Sequence, residues 1–279
     1  MPEKQSKLAE HRIGFVGAGA MAEALVGGLL AAGVSASHIR VADPAAARRE
    51  RLEEICGVVA HADNAALVAA SDIVVIAVKP SLAAQVLADL AGEPDRARPL
   101  WISIAAGVRI ETLAAALPEG ARIVRAMPNT PALVRSAATA VCGNACATPE
   151  DLDAARALFE SVGVCWLAPA EPLLDAVTGL SGSGPAYVFV FLEALVEAGV
   201  RVGLPEAAAQ TLALHTLLGA ARLAIEDGRP PAQLRHQVSS PGGTTIAGLE
   251  RLEAGGLRAA VHEAVAAATQ RSRELGETS

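Results

Sequence analysis

From Arg12 to Ala168, short β-branched and apolar runs alternate with Ala/Leu-rich stretches whose apolar positions recur at helical spacing. Strand-like runs fall at residues 12–16, 39–42, 58–60, 72–78, 100–104, 121–125, 139–142 and 163–167, with helical patterns between most of them, among them 21–32, 45–55 and 65–70. This βαβ rhythm predicts a Rossmann-type parallel sheet with helices on both faces, because the central runs are apolar on every side. Helix starts carry their own chemistry: Thr148, Pro149, Glu150 and Asp151 place an N-cap hydroxyl before a proline at the first helical position, with acids in the first turn.

Beyond Pro169 to Pro172 the strand signals stop. Helical patterns then cover 173–180, 186–202, 205–227, a short piece after Pro231, and two stretches within 244–274 split near Gly255 and Gly256. The expected division is therefore a dinucleotide-binding domain over 1–168 and an all-α domain over 169–279. Residues 187–192 are apolar on all sides, relieved only by Glu193 and Glu197, and such a helix must be covered all round. A domain of roughly a hundred residues has little interior for several such helices, which predicts a homodimer formed through this half.

Composition narrows the class. With 52% hydrophobic and 19% charged residues in 279, the chain is neither disordered nor a charged coiled coil. Only 3% of residues are aromatic, so packing rests on Ala, Val and Leu. A formal charge of −7 opposes a nucleic-acid footprint. Uninterrupted apolar runs fall short of the roughly 20 residues of a spanning helix, so no membrane anchor is expected. Residues 1–11 are polar rather than signal-like, and Cys56, Cys142, Cys146 and Cys165 are scattered, which suits a reducing cytoplasm. The six histidines are dispersed, and no metal site is expected.

The strongest motif is Gly17, Ala18, Gly19, Ala20, Met21, Ala22, a G-x-G-x-x-A turn directly after the first strand and opening a helix. The first glycine permits the tight turn, the second leaves room for a pyrophosphate, and the alanine lets helix and strand approach closely. Asp43, ending the second strand, suits a ribose 2′-hydroxyl and favours NADH, whereas Arg48 and Arg49 could neutralise the 2′-phosphate of NADPH. Asn64 is a candidate for an adenine or ribose contact, or for an N-cap. Ala77, Val78, Lys79 and Pro80 close one strand, and Ala105, Ala106 and Gly107 close the next, at the edge where open α/β sheets bind ligands. The turn from Arg125 to Pro131 reads as a structural loop or as a shaped site wall, the dense run of fixed dihedrals at a sheet edge suggesting the second. Ser181, Gly182, Ser183 and Gly184 interrupt an apolar helical pattern, implying a tight helix–helix crossing, a ligand contact, or both. Gly242, Gly243, Thr244 and Thr245 form a helix start suited to a carboxylate.

Together these segments, and above all the runs from Leu174 to Tyr187 and from Ser240 to Ile246, resemble the pyrroline-5-carboxylate reductase family over nearly the whole chain. Departures from the family pattern stand at Ala137 and Gly228. The resemblance implies a Rossmann domain followed by a helical dimerisation domain, often with dimers assembled into decamers, and reduction of L-1-pyrroline-5-carboxylate to L-proline with NADPH, NADH being the alternative. It also implies that Gly17 to Ala22, Asn64, Ala77 to Pro80 and Ala105 to Gly107 line the dinucleotide. Gly243, Thr244 and Thr245 would hold the substrate, with Thr245 near the ring nitrogen, and Ser181 and Ser183 are candidate substrate contacts. The competing reading is a reductase of a related cyclic imine or a β-hydroxyacid; the latter needs a catalytic lysine after the boundary, and none lies between Pro169 and Ser279.

Overall fold

A computed structural model describes residues 8–90, 96 and 98–277. The first half forms an eight-stranded sheet of order β3-β2-β1-β4-β5-β6-β7-β8. The strands are β1 (Ile13–Val16), β2 (Ile39–Ala42), β3 (Val59–His61), β4 (Ile73–Ile76), β5 (Leu100–Ser103), β6 (Arg122–Met127), β7 (Ala137–Gly143) and β8 (Gly163–Leu167). Every pairing is parallel except β6–β7. That reversal departs from the all-parallel expectation for a simple reason: only a 3₁₀ turn, Thr130–Val134, joins the two strands, and a parallel partner needs a long crossover. Ile13, Phe15, Val41, Val75 and Ile102 build the core on one face, while Val74, Ile76, Trp101 and Ile123 build it on the other. Each face is covered by helices, including Ala20–Ala31 on the first and Pro80–Asp89 on the second. The helix Pro149–Glu160 begins with the expected cap: Thr148 accepts from the Asp151 amide at 3.2 Å, and Asp151 accepts from the Thr148 amide at 2.9 Å.

The remaining helices are Leu173–Val177, Gly184–Arg201, Glu206–Asp227, Pro231–Gln237, Thr244–Ala254 and Leu257–Glu277. A π turn, Thr178–Gly182, joins the first two, so the Ser181–Gly184 segment is a local widening within one helical run rather than a break. Contacts divide the chain into two compact units, residues 1–183 with 266–279, and residues 184–265. The sheet unit therefore takes in the start of the helical region and the final turns of the last helix. Ser272 donates to Asp175 at 2.8 Å, and both are buried. A Cβ on Gly276 would stand 3.1 Å from the Gly107 carbonyl oxygen, so the last helix lies tight against that loop.

The 184–265 unit buries only Ala209 and Ala213 among its apolar side chains. Its Phe189 is 59% exposed and its Ile225 81%. This helical unit leaves its apolar faces bare within the single chain. By length and composition, the helical run Leu173–Arg201 is also long and apolar enough to cross a membrane, a property the shorter uninterrupted runs did not announce.

Candidate active site

The loops at the C-terminal ends of β3, β2, β1, β4 and β5 carry, in that spatial order, Asn64, Asp43, the 17–22 turn, residues 77–80 and residues 105–107. The chain runs outward from β1 through β2 to β3, then returns to place β4 on the other side of β1. This is the topological switch point at which doubly wound sheets bind ligands. Gly17 has φ of 101°, and a Cβ there would lie 2.5 Å from the Ala77 carbonyl oxygen. Its hydrogen thus lets the β1 and β4 loops touch. Gly19 caps the helix Ala20–Ala31 with extended backbone, and a Cβ there would meet nothing within 4 Å. The first-turn N–H groups of that helix have no intrahelical acceptor and face this open side, which fits a pyrophosphate. Ala22 is fully buried beneath the turn.

Asp43 is only 5% exposed. One carboxylate oxygen accepts from the Ala18 amide at 3.0 Å, the other from the Ala45 amide at 2.9 Å. Arg49 donates to the Asp43 carbonyl at 2.6 Å, while the Arg48 guanidinium, 61% exposed, stands 3.4 Å from the Asp43 carboxylate. Asn64 is the first residue of its helix; the cap is Asp63, whose side chain accepts from the Ala65 amide at 2.7 Å. The capping role read for Asn64 is thereby corrected by one residue, since Asp63 has the extended backbone a cap requires. Lys79 is exposed at the N-cap of the helix that Pro80 opens. Ala105 is buried and Ala106 half-buried, and Gly107 takes φ of 78° where a Cβ would stand 3.1 Å from Leu275 Cβ.

The π turn uses most of its own polar groups. Ser181 Oγ donates to the Val177 carbonyl at 3.2 Å, and the Ser183 amide donates to the Thr178 carbonyl at 2.8 Å. The close approach at this turn is to a strand, not to the helix expected: a Cβ on Gly182 would lie 2.6 Å from Met127 Cε. Asn129 fastens the turn, donating to the Ser181 carbonyl at 2.9 Å while accepting from the Ala138 amide at 3.0 Å. In the 184–265 unit, Gly242 has φ of 71°, and Gly243 caps the helix Thr244–Ala254. A Cβ on Gly243 would fall 2.6 Å from Ser240 Oγ and 3.0 Å from the Ser240 carbonyl oxygen, so this bend is tight for any larger residue. Thr244 and Thr245 are exposed, and the first-turn amides have no capping side chain.

The motif reading missed what the Arg125 side chain does. It is buried, bonds Glu171 at 2.8 Å and lies 3.7 Å from Asp175. Glu171 also accepts from the Ile110 amide at 2.8 Å. Two acids four apart at a helix start were visible in the sequence, but nothing local indicated which strand they face. A cleft of about 480 Å³ lies at the opposite, N-terminal edge of the sheet, lined in part by Asp72, Arg98, Arg122 and Asp151. Those four charges are spent on ion pairs, and the cleft is at the edge away from the glycine turn. Among the described residues, no group of three His, Cys, Asp or Glu side chains is placed to hold a metal ion.

A switch-point edge with an open glycine turn and free helix amides is the arrangement by which Rossmann-type proteins bind a dinucleotide. Residues 171–275 match the family model described as pyrroline-5-carboxylate reductase dimerisation, and residues 12–107 match that of NADP oxidoreductase, coenzyme F420-dependent. The chain is 47% identical to the pyrroline-5-carboxylate reductase of Synechocystis over 95% of its own length and 98% of the relative's. It is 40% identical to that of Escherichia coli, over 96% and 100%. The solved structure of a Coxiella burnetii pyrroline-5-carboxylate reductase superposes with a TM-score of 0.91 at 38% identity, covering 95% of this chain and 98% of that one. A Plasmodium falciparum pyrroline carboxylate reductase with NADP bound gives 0.85 at 32% identity, covering 96% and 99%. The chain belongs to the pyrroline-5-carboxylate reductase family.

Proposed function

We propose that this protein reduces L-1-pyrroline-5-carboxylate to L-proline with a reduced nicotinamide dinucleotide, the closing step of proline synthesis. One observation carries the reading: a chain with a dinucleotide edge at the β1/β4 switch point also has the Gly243–Thr245 helix start inside the segment matching the reductase dimerisation model. The substrate is a cyclic imine bearing a carboxylate. When bound, the reduced nicotinamide supplies a hydride equivalent to the imine carbon. Protonation of the ring nitrogen makes that carbon electrophilic, and the imine takes this proton from solution, so the site needs no strong acid of its own. Its tasks are to orient the rings and exclude water.

The amides of Gly243 and Thr244 would hold the carboxylate, favoured by the positive end of the helix dipole, and Thr245 Oγ would bond the ring nitrogen. Ser181 and Ser183 are supporting substrate contacts in this reading. Thr245→Ala should lower kcat/KM by roughly 10- to 1,000-fold, the loss expected of one orienting hydrogen bond, with KM for the dinucleotide little changed. An equal loss of dinucleotide affinity would reassign Thr245.

The geometry around Asp43 favours NADPH over NADH. Both carboxylate oxygens already accept backbone N–H groups and one also faces Arg48, which leaves fewer lone pairs for a ribose hydroxyl. The exposed Arg48 guanidinium then supplies positive charge beside the ribose site. Arg48→Ala should raise KM for NADPH about 10-fold or more and leave NADH almost unaffected, as steady-state kinetics with the two dinucleotides side by side would read. Four free thiols accord with a cytoplasmic location, and the apolar faces of 184–265 with homodimers and their further assembly into decamers.

A further inference from the structure

The outermost strand of the sheet has an apolar face left bare in the single chain. In β8, Cys165 and Leu167 pack toward the main core, whereas Val164 and Trp166 are 68% and 50% exposed. The register pairs Ala138 with Val164 and Ala140 with Trp166, so these exposed side chains share a sheet face with Ala140 and Cys142. That same face receives the beginning of the dimerisation segment. Leu174 packs with Ala140, Cys142 and Ala168, and Arg125, in register with Cys142, bonds Glu171. The cover ends at β7. β8 is the sheet edge, and its sequence, GVCWL, contains none of the charges or prolines that ordinarily protect a lone edge strand.

We propose that the Val164 and Trp166 face of β8 is part of the homodimer interface, covered by a second copy of this chain. Association then extends from the 171–275 segment onto the dinucleotide-binding sheet itself. The face is continuous with the first helix of that segment, through the row from Leu174 and Ala140 to Trp166. A second copy is also the partner whose chemistry fits: each chain has apolar helices in 184–265 that its own unit leaves uncovered, and an apolar sheet face is matched by such a surface. The inference goes beyond the catalytic reading and does not depend on it.

The chain has two tryptophans, and Trp101 is fully buried in the core, so quenching of tryptophan emission by acrylamide reports on Trp166. In the assembled wild-type protein little emission should be quenched, and the quenchable share should rise as dilution separates the subunits. Trp166→Glu should raise the dimer dissociation constant roughly 30-fold or more in sedimentation, the effect of removing an interface anchor, with Trp101 emission unchanged as the check on folding. A freely quenchable Trp166 in an intact wild-type dimer would overturn the proposal. So would a folded Trp166→Glu variant that dimerises normally, or one that loses only assemblies larger than the dimer. Should Trp166→Glu unfold, the wild-type quenching alone decides.

Discussion

Gly17 and Gly19 are glycines for different reasons. Gly17 is held by the fold: positive φ and the Ala77 carbonyl exclude any side chain. Gly19 has ordinary backbone angles and open space where its Cβ would be, so nothing in the fold requires it to be bare. Gly19→Val should therefore leave the melting temperature nearly unchanged while weakening dinucleotide binding at least about 10-fold, as titration of NADPH fluorescence would measure. A variant that melts early with normal affinity would reverse the assignment. The G-x-G-x-x-A motif was legible in the sequence because its chemistry is local. The partners of Asp43 were not: an acid at the end of β2 is visible, but that its oxygens accept from the amides of Ala18 and Ala45 depends on how two loops approach.

Among elements, β1 and β4 are clamped where they begin. Asp72, just before β4, accepts from the Arg12 amide and from two guanidinium nitrogens of Arg12, with Arg98 at 3.4 Å. The hydrogen bonds from the Arg12 side chain hold the Asp72 carboxyl at about 2, below its ordinary 3.8. A carboxyl lowered by folding contributes stability that is complete above its unfolded value and disappears as pH falls through the folded one. Asp72→Asn should be less stable than the wild type at pH 7, and the two melting temperatures should converge between about pH 4 and pH 2. Parallel displacement of the curves at all pH values would place the stabilisation elsewhere. Strand positions were readable from apolar runs within a residue or two, but the antiparallel turn of β7 was not, since apolar alternation carries no strand direction. The π turn was equally hidden: Ser181 to Gly184 suggested an interruption, whereas the Thr178–Ser183 bond carries the helix through.

At the scale of the molecule, the sheet unit has a core and the 184–265 unit has almost none of its own. The sequence signalled this through a helix apolar on every side, since that feature needs no tertiary knowledge to interpret. It could not identify the face of β8, which follows from register. A unit stabilised mainly by association gains stability by mass action, so the midpoint of thermal unfolding should rise with protein concentration over a hundred-fold range. A midpoint independent of concentration would mean that 184–265 is self-sufficient.

The fit of Gly276 against Gly107 has a temporal counterpart. The 105–107 loop receives its supporting surface from Leu275 and Gly276, far along the chain, so a ribosome must deliver that distant segment before the loop acquires its backing. Folding during synthesis can complete the strands early, while the backing of this loop waits for the last helix.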